Sequence, residues 1–406
     1  METNMSHIAE QIKQEVSLDS IIGIISDLVA IPSYPGVEKQ ETGVAKYINE
    51  FFKKEGIDSE IIPVVDGRSN IVARLKGTGG GKTLMLTGHL DTVPPYDMPG
   101  DPLKVERKEK TLIGRGVVDM KGALACMMAA MAAIKRCGIK LKGDIVFAGV
   151  IDEENKSEGT RALIKQKTTA DAAIVGEPSQ LDICIGHRGL EWFEFYFKGK
   201  TVHGGKQKEG INAITKAMKF IQKVEEELID KIELNKHPVI GSSSLNYGFI
   251  KGGTQPSTVA GDCILQIDRR WVPGENYSDI IKEFRNIIDE LKRKDPEFEA
   301  QLSVMEVSEM EKGYIHEAME IDPNHPIVEI VSEASHKVRS MKPEKVSFTA
   351  WSDGGLLCNY AKIPTIIYGP GDLESAHSAS ECLEISHIIP ATLVYALSSI
   401  EFCGQD

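Results

Sequence analysis

Acidic and histidine residues gather just after apolar runs in this 406-residue chain. The run Thr83–Thr87 leads into GHLDTVPP, which places His89 and Asp91 past the end of a strand-like segment. Asp144–Ile151 leads into DEEN with Glu153 and Glu154, Ala172–Val175 into GEPS with Glu177, and Ile363–Tyr368 into GPGDLESAHSASE with His377. Asp119 lies in GRGVVDMKG, directly ahead of an Ala/Met-rich stretch. His89, Asp119, Glu154, Glu177 and His377 are a mixed nitrogen and oxygen set suited to zinc, or to cobalt or manganese. Five ligands exceed the usual three of one catalytic zinc and suit two ions that share a carboxylate. Ions paired about 3.5–4 Å apart polarise a carbonyl and lower the pKa of a shared water. One of the adjacent residues Glu153 and Glu154 can then bind metal while the other acts as base. Asp91, two residues beyond His89, is placed to orient its imidazole.

For these groups to meet, the apolar runs must share one sheet, because ligands in open α/β sheets bind beyond the carboxyl ends of the strands. The first third of the chain supports this. Helical spacing covers Ser20–Ile31 and Gln40–Glu55, strand-like runs cover Ser59–Val64 and Ser69–Leu75, and the Gly77–Gly81 run predicts a hairpin between Ser69–Leu75 and Thr83–Thr87. Continuous apolar strands interleaved with helices predict a mixed, mostly parallel sheet flanked by helices. The middle of the chain differs. Leu190–Lys198 alternates, with Phe193, Phe195 and Phe197 on one face, and is followed by an amphipathic helix carrying Ile211, Ile214, Met218 and Ile221. Strands at Ser244–Ile250 and Asp262–Arg270, a helix from Ser278 and a strand near Phe298–Val307 complete a βαββαβ order, the ferredoxin-like pattern. The expected organisation is a catalytic domain in two parts, 1–188 and 309–406, with an inserted domain at 189–308.

Composition narrows the function. Acidic residues outnumber basic ones, 60 to 47, and the net charge of −13 argues against a nucleic-acid binder. Seven cysteines without a C-x-x-C pair fit a reducing compartment, and the amino terminus has no signal-peptide core, which suggests a cytoplasmic protein. Gly122–Ile134, the longest quiet apolar stretch noted, is too short for a bilayer and reads as a buried helix, so no membrane association is expected. Two motifs fail. KGTGGGKT resembles a phosphate loop, but Lys76 stands where its first glycine belongs; AWSDGG resembles a nucleophile elbow around Ser352, but Ala350 replaces a glycine. Each polar cluster alone is more often an ordinary loop. Two other classes compete with a metallohydrolase: a non-catalytic metal-binding protein on the same fold, and a serine hydrolase using Ser352.

The segments GHLDTVP, GRGVVDMKG, DEENKSEGT, GEPS, GKTVHGG, DRRWVPGE and YGPGDLESAHSASE, in this order, resemble the di-zinc amidohydrolase and peptidase family of acetylornithine deacetylase, succinyl-diaminopimelate desuccinylase, aminoacylase-1 and carboxypeptidase G. The resemblance implies a zinc-exopeptidase-like catalytic domain with an inserted lid and dimerisation domain, and a homodimer. It implies that Asp119 bridges two metals, His89 and Glu177 completing one site and Glu154 and His377 the other. Asp91 would orient His89, and Glu153 would be the general acid/base. His203 in GKTVHGG matches a histidine that stabilises the oxyanion across the dimer; Arg270 and Asn246 match positions that hold the substrate's carboxylate and nearby polar groups. A cis peptide is expected at Asp119–Met120. Val202 and Ser380 depart from the family's usual alanine and asparagine. The implied activity is hydrolysis of an amide bond in an N-acyl amino acid or short peptide, with dipeptidase or carboxypeptidase action as the alternative.

Overall fold

Every apolar run that precedes a polar cluster becomes a buried strand. In the computed structural model, which describes residues 2–405, helices α1 (Glu2–Glu15), α2 (Leu18–Ala30) and α3 (Thr42–Lys54) precede a hairpin of β1 (Asp58–Val65) and β2 (Arg68–Leu75). The hairpin turns on Asp66 and Gly67, at φ of 49° and 77°, as a two-residue Asp-Gly turn requires. Then come β3 (Leu84–His89), α4 (Lys121–Arg136), β4 (Ile145–Val150), α5 (Glu158–Lys165), β5 (Ala172–Val175) and β6 (Ile183–His187). The middle of the chain supplies β7 (Gly189–Lys198), α6 (Ala213–Val224), β8 (Ser244–Gly252), β9 (Asp262–Trp271), α7 (Tyr277–Lys294) and β10 (Glu299–Val304). The last part adds α8 (Pro326–Arg339), β11 (Thr365–Ile367) and α9 (Ile385–Cys403). These elements sort into two units, 1–186 with 319–406, and 187–318.

The first unit is built on a nine-stranded mixed sheet in the order β1-β2-β4-β3-β5-β11-β6, with short strands at Met319–Glu320 and Lys345–Phe348 beyond. At its centre β4, β3, β5 and β11 are adjacent and parallel. All residues of β3, β4 and β5 are buried, as expected for parallel strands covered on both faces. Four carboxyl ends therefore open on the same side of the sheet. The expected hairpin between Ser69–Leu75 and Thr83–Thr87 does not form, because β4 lies between β2 and β3 and pairs with both. The glycine run instead packs on another backbone: Thr78 and Gly79 donate to the carbonyls of Leu141 and Lys142, and a Cβ at Gly81 would lie 2.2 Å from backbone atoms of Gly143 and Cys403. Glycine permits this close approach, and no phosphate loop is involved.

Helix α4 is buried on almost every side, among α2, α9 and the sheet. Helix α9 is long and apolar enough to cross a membrane by length and composition; 67% of its apolar window is buried within the unit. Its Thr392, Ser398 and Ser399 are wholly buried as well, which fits a core helix.

The second unit is an antiparallel sheet in the order β8-β9-β7-β10, in a βαββαβ chain order. Phe193, Phe195 and Phe197 lie on its covered face and pack with Phe220, Phe284 and Phe298. Helix α6 buries Ala213, Ala217, Phe220 and Val224 rather than the isoleucine and methionine stripe, leaving Ile214 37% and Met218 60% exposed. The unit runs ten residues past 308, because the segment after β10 returns to bridge Leu190 with His316.

Candidate metal and catalytic site

Strand β3 ends on His89, and one further backbone bond, from Leu90 N–H to the Val150 carbonyl at 2.7 Å, precedes the loop at Asp91. His89 Nδ1 lies 3.0 Å from the Asp91 carbonyl oxygen and 3.5 Å from its carboxylate. A proton on Nδ1 shared with that carbonyl leaves Nε2 free to bind, 2.9 Å from Asp119 Oδ1 and 3.7 Å from Glu177 Oε1. The Asp91 carboxylate, expected to orient the imidazole, is engaged mainly elsewhere: it accepts the backbone N–H groups of Glu153 at 3.2 Å and Glu154 at 3.0 Å. Asp91 thus ties the β3 end to the loop that follows β4.

Asp119 lies two residues ahead of α4, separated from it by Met120, and the Asp119–Met120 peptide is cis, as the resemblance implied. Its second oxygen, Oδ2, lies 3.1 Å from His377 Nε2, which is also 3.0 Å from Glu154 Oε1. One carboxylate therefore faces two imidazoles, one oxygen to each. Around it are two overlapping clusters that could each hold a metal ion, His89–Asp119–Glu177 and Asp119–Glu154–His377, with ligand atoms within 4.8 Å of one another. The first cluster is buried, whereas the second opens to solvent at His377.

The electrostatics fit a cationic occupant. Burial pushes Glu177 well above the ordinary carboxylate range, against the opposing pull of His89. Burial and then the Glu177 charge do the same to Glu153, and burial and Asp119 raise Glu154. Burial would lower His89, but Glu177 and Asp119 outweigh it and hold the imidazole well above its usual value. Hydrogen bonds to Asp119 and Glu154 bring His377 up to about 10. Asp119 itself is held below the usual range by hydrogen bonds to both histidines, which overcome the effect of its burial. Glu177 Oε1 is buried without accepting a hydrogen bond. Four carboxylates crowd two imidazoles, an arrangement that divalent cations would relieve and whose donor types match zinc, cobalt or manganese.

Two residues outside the expected set shape this pocket. Glu381 is fully buried, pairs with Arg115, and accepts the N–H groups of Gly116 at 2.9 Å, Val118 at 3.0 Å and Asp119 at 3.3 Å. It thereby fixes the turn that presents Asp119. Asp353 accepts a 2.7 Å bond from Thr160 at the start of α5, and burial brings its carboxyl up to about 6 against the Ser157 and Thr160 hydrogen bonds. In the sequence they close the segments HSASE and AWSD, in which His377 and Ser352 are the more conspicuous residues. Ser352 is wholly buried and its Oγ accepts the Gly354 N–H at 3.2 Å, which removes it as an exposed nucleophile.

The remaining expected residues lie in the second unit. His203 is exposed and caps a short 3₁₀ turn, its Nδ1 accepting the Gly205 N–H at 3.1 Å. Arg270 sits on β9 with Nε 3.0 Å from Asp268, and Asn246 on β8 is opposite Asp268 in the strand register.

Comparison with known proteins supports the same picture. A family model described as Peptidase family M20/M25/M40 matches residues 85–399. Curated relatives include an N-formyl-4-amino-5-aminomethyl-2-methylpyrimidine deformylase of Halalkalibacterium halodurans, 29% identical over 95% of this chain and 95% of its own. An acetylornithine deacetylase of Vibrio campbellii is 28% identical over 94% of this chain and 97% of its own. Among solved structures, the aminopeptidase PepT of Bacillus cereus superposes with a TM-score of 0.78 at 20% identity, covering 95% of this chain and 100% of that one. A dinuclear metal binding peptidase of Bacillus subtilis gives 0.70 at 15% identity, covering 95% and 98%. At these identities the superpositions establish the fold.

Proposed function

The chain belongs to peptidase family M20/M25/M40 and is a metal-dependent hydrolase, and from that premise we propose that it cleaves the amide bond of an N-acyl amino acid or short peptide. The observation that carries this reading is Asp119, one oxygen toward His89 and the other toward His377, with Glu177, Glu154 and Glu153 in the same pocket. Asp119 would be shared between two ions, His89 and Glu177 completing one site and Glu154 and His377 the other. Two divalent ions, zinc in first place and cobalt or manganese as substitutes, would supply Lewis acidity and a nucleophilic water at neutral pH.

Glu153 is adjacent in sequence to the ligand Glu154, shares the pocket with Glu177, and is not needed as one of the five ligands. Its raised affinity for a proton suits a base that accepts one from the attacking water and passes it to the departing amine. Asp91 holds the Glu153 and Glu154 backbone and so sets where both side chains start. In the second unit, His203 has Nδ1 engaged and would use Nε2 to stabilise the oxyanion, supplied by the partner subunit of a dimer. Arg270 would grip the substrate carboxylate through charge-assisted bonds, with Asn246 beside it.

A homodimer through the second unit is supported by its unpaired edge. Among the described residues, strand β8 pairs on one side only and exposes Phe249 and Ile250, and Ile214 of α6 reaches the end of this strand near Gly252. The cysteines are all free, which suits a cytoplasmic setting. The relatives named deformylase and deacetylase favour a small acyl group over a peptide.

The test is a hydrolysis panel of N-formyl, N-acetyl and N-succinyl amino acids and dipeptides, run with zinc, cobalt and manganese and again after chelation. Metal-dependent release of a free amine from a small-acyl member is expected. Turnover confined to dipeptides would favour the peptidase alternative, and tight metal binding without any turnover would favour a binding protein.

A further inference from the structure

The loop between β4 and α5 carries Glu153 and Glu154, and it is fastened at both ends. Asn70 accepts the Ile151 N–H at 3.0 Å and donates to the Gly159 carbonyl at 2.9 Å, closing the base of the loop. Asp152 opens the loop in the left-handed region, at φ 70°, a conformation that aspartate tolerates better than most residues. Its carbonyl accepts the N–H groups of Asn155, Lys156 and Ser157, and its Oδ2 accepts Lys156 N–H at 3.2 Å, so the whole turn winds around this one residue.

Asp152 is itself gripped from the hairpin. Arg68 Nη2 donates to Asp152 Oδ1 at 2.8 Å, and the same guanidinium engages both oxygens of Glu41, with Nε 2.9 Å from Oε2. Glu41 is fully buried, Asp152 is 3% exposed, and the Arg68 side chain is 14% exposed. Glu41 lies far from any proposed ligand in the sequence and has no part in the hydrolytic scheme. A buried carboxylate is costly unless it is paired and hydrogen-bonded, as Glu41 is with Arg68. Here it locks a planar fork in the orientation that reaches Asp152.

We propose that Arg68 is a positioning residue that, backed by Glu41, holds Asp152 and thereby aims Glu153 at the reacting bond. This rests on Glu153 being the base. Misplacing a reacting group by about 1 Å can cost on the order of 100-fold in rate. Arg68→Lys keeps the charge but cannot fork to both carboxylates.

The experiment compares Arg68→Lys, Asp152→Asn and Glu153→Gln in the zinc-loaded full chain, using the N-acyl amino acid that the panel hydrolyses fastest. For Arg68→Lys we expect kcat to fall about 10- to 100-fold, with KM changed by less than about threefold and metal content per chain unchanged. Asp152→Asn, which removes the charge that Arg68 grips and leaves one oxygen in place of the two that accept Arg68 and the Lys156 N–H, should show the same split and serves if the lysine variant does not fold. A loss of activity that follows loss of metal or lowered thermal stability would overturn the proposal, as would kcat within about twofold of the parent in both variants. If Glu153→Gln retains full turnover, the reading of the base fails on its own account. If it is inactive while both other variants turn over normally, the base stands and the role of Arg68 falls.

Discussion

The two units of this chain differ in which charged groups they bury. The second unit fills its interior with aromatic rings, Phe193, Phe195, Phe197, Phe220, Phe284 and Trp271, and keeps His203 and Asn246 exposed and Arg270 half-buried. The first unit buries His89, Asp91, Asp119, Glu177, Glu41, Asp152 and Glu381, several with no partner of opposite charge except a histidine or arginine. Desolvated charges are expensive, and the parallel strand ends, the Glu381 turn and the Arg68 clasp are what hold them together. Chemistry that depends on perturbed carboxylates therefore has its foundation in the first unit, while the second offers groups suited to recognition.

The difference can be sharpened by removing one group from each side. The largest effect is expected for Glu153→Gln, which should lower kcat by about 10²- to 10⁴-fold while metal content stays that of the parent. Loss of metal along with activity would make Glu153 a ligand rather than a base. On the other side, His203→Ala should cost about 10²- to 10³-fold in kcat, again without altering metal content. Mixing that variant with Glu153→Gln should restore part of the activity if the histidine works across a dimer; a mixture as inactive as its components would place it in its own subunit or outside the reaction.

The smallest effect concerns the one acid that breaks the pattern of the second unit. Glu191 is 2% exposed, and burial brings its carboxyl up to about 7 despite hydrogen bonds from Ser308, the Trp192 N–H and Tyr277. Because the unfolded chain gives up this proton at lower pH, stability falls between about pH 4.5 and 7, by up to about 3 kcal/mol. Glu191→Gln should therefore melt above the parent at pH 8 and level with it at pH 4. An unchanged difference across that range would mean the carboxyl titrates normally.

What the sequence made legible was local in origin. Polar clusters after apolar runs located His89, Glu154, Glu177 and His377, and those four runs are indeed neighbouring parallel strands. The alternation of Phe193, Phe195 and Phe197 named the covered face of β7. Long-range pairing was not legible. Nothing near Gly77–Gly81 reveals that β4 inserts between β2 and β3, and helical spacing alone does not say which of two apolar stripes on α6 is covered. The ion pairs that shape the site join residues 27 apart, Arg68 with Glu41, and 266 apart, Arg115 with Glu381, so no periodicity announces them.

The central claim is that Asp119 is shared by two ions, with two other ligands on either side. Anomalous diffraction from crystals grown with zinc tests it most directly. The account predicts two peaks about 3.5–4 Å apart, one beside His89 and Glu177 and the other beside Glu154 and His377. A single peak, or a pair of peaks remote from Asp119, would contradict it.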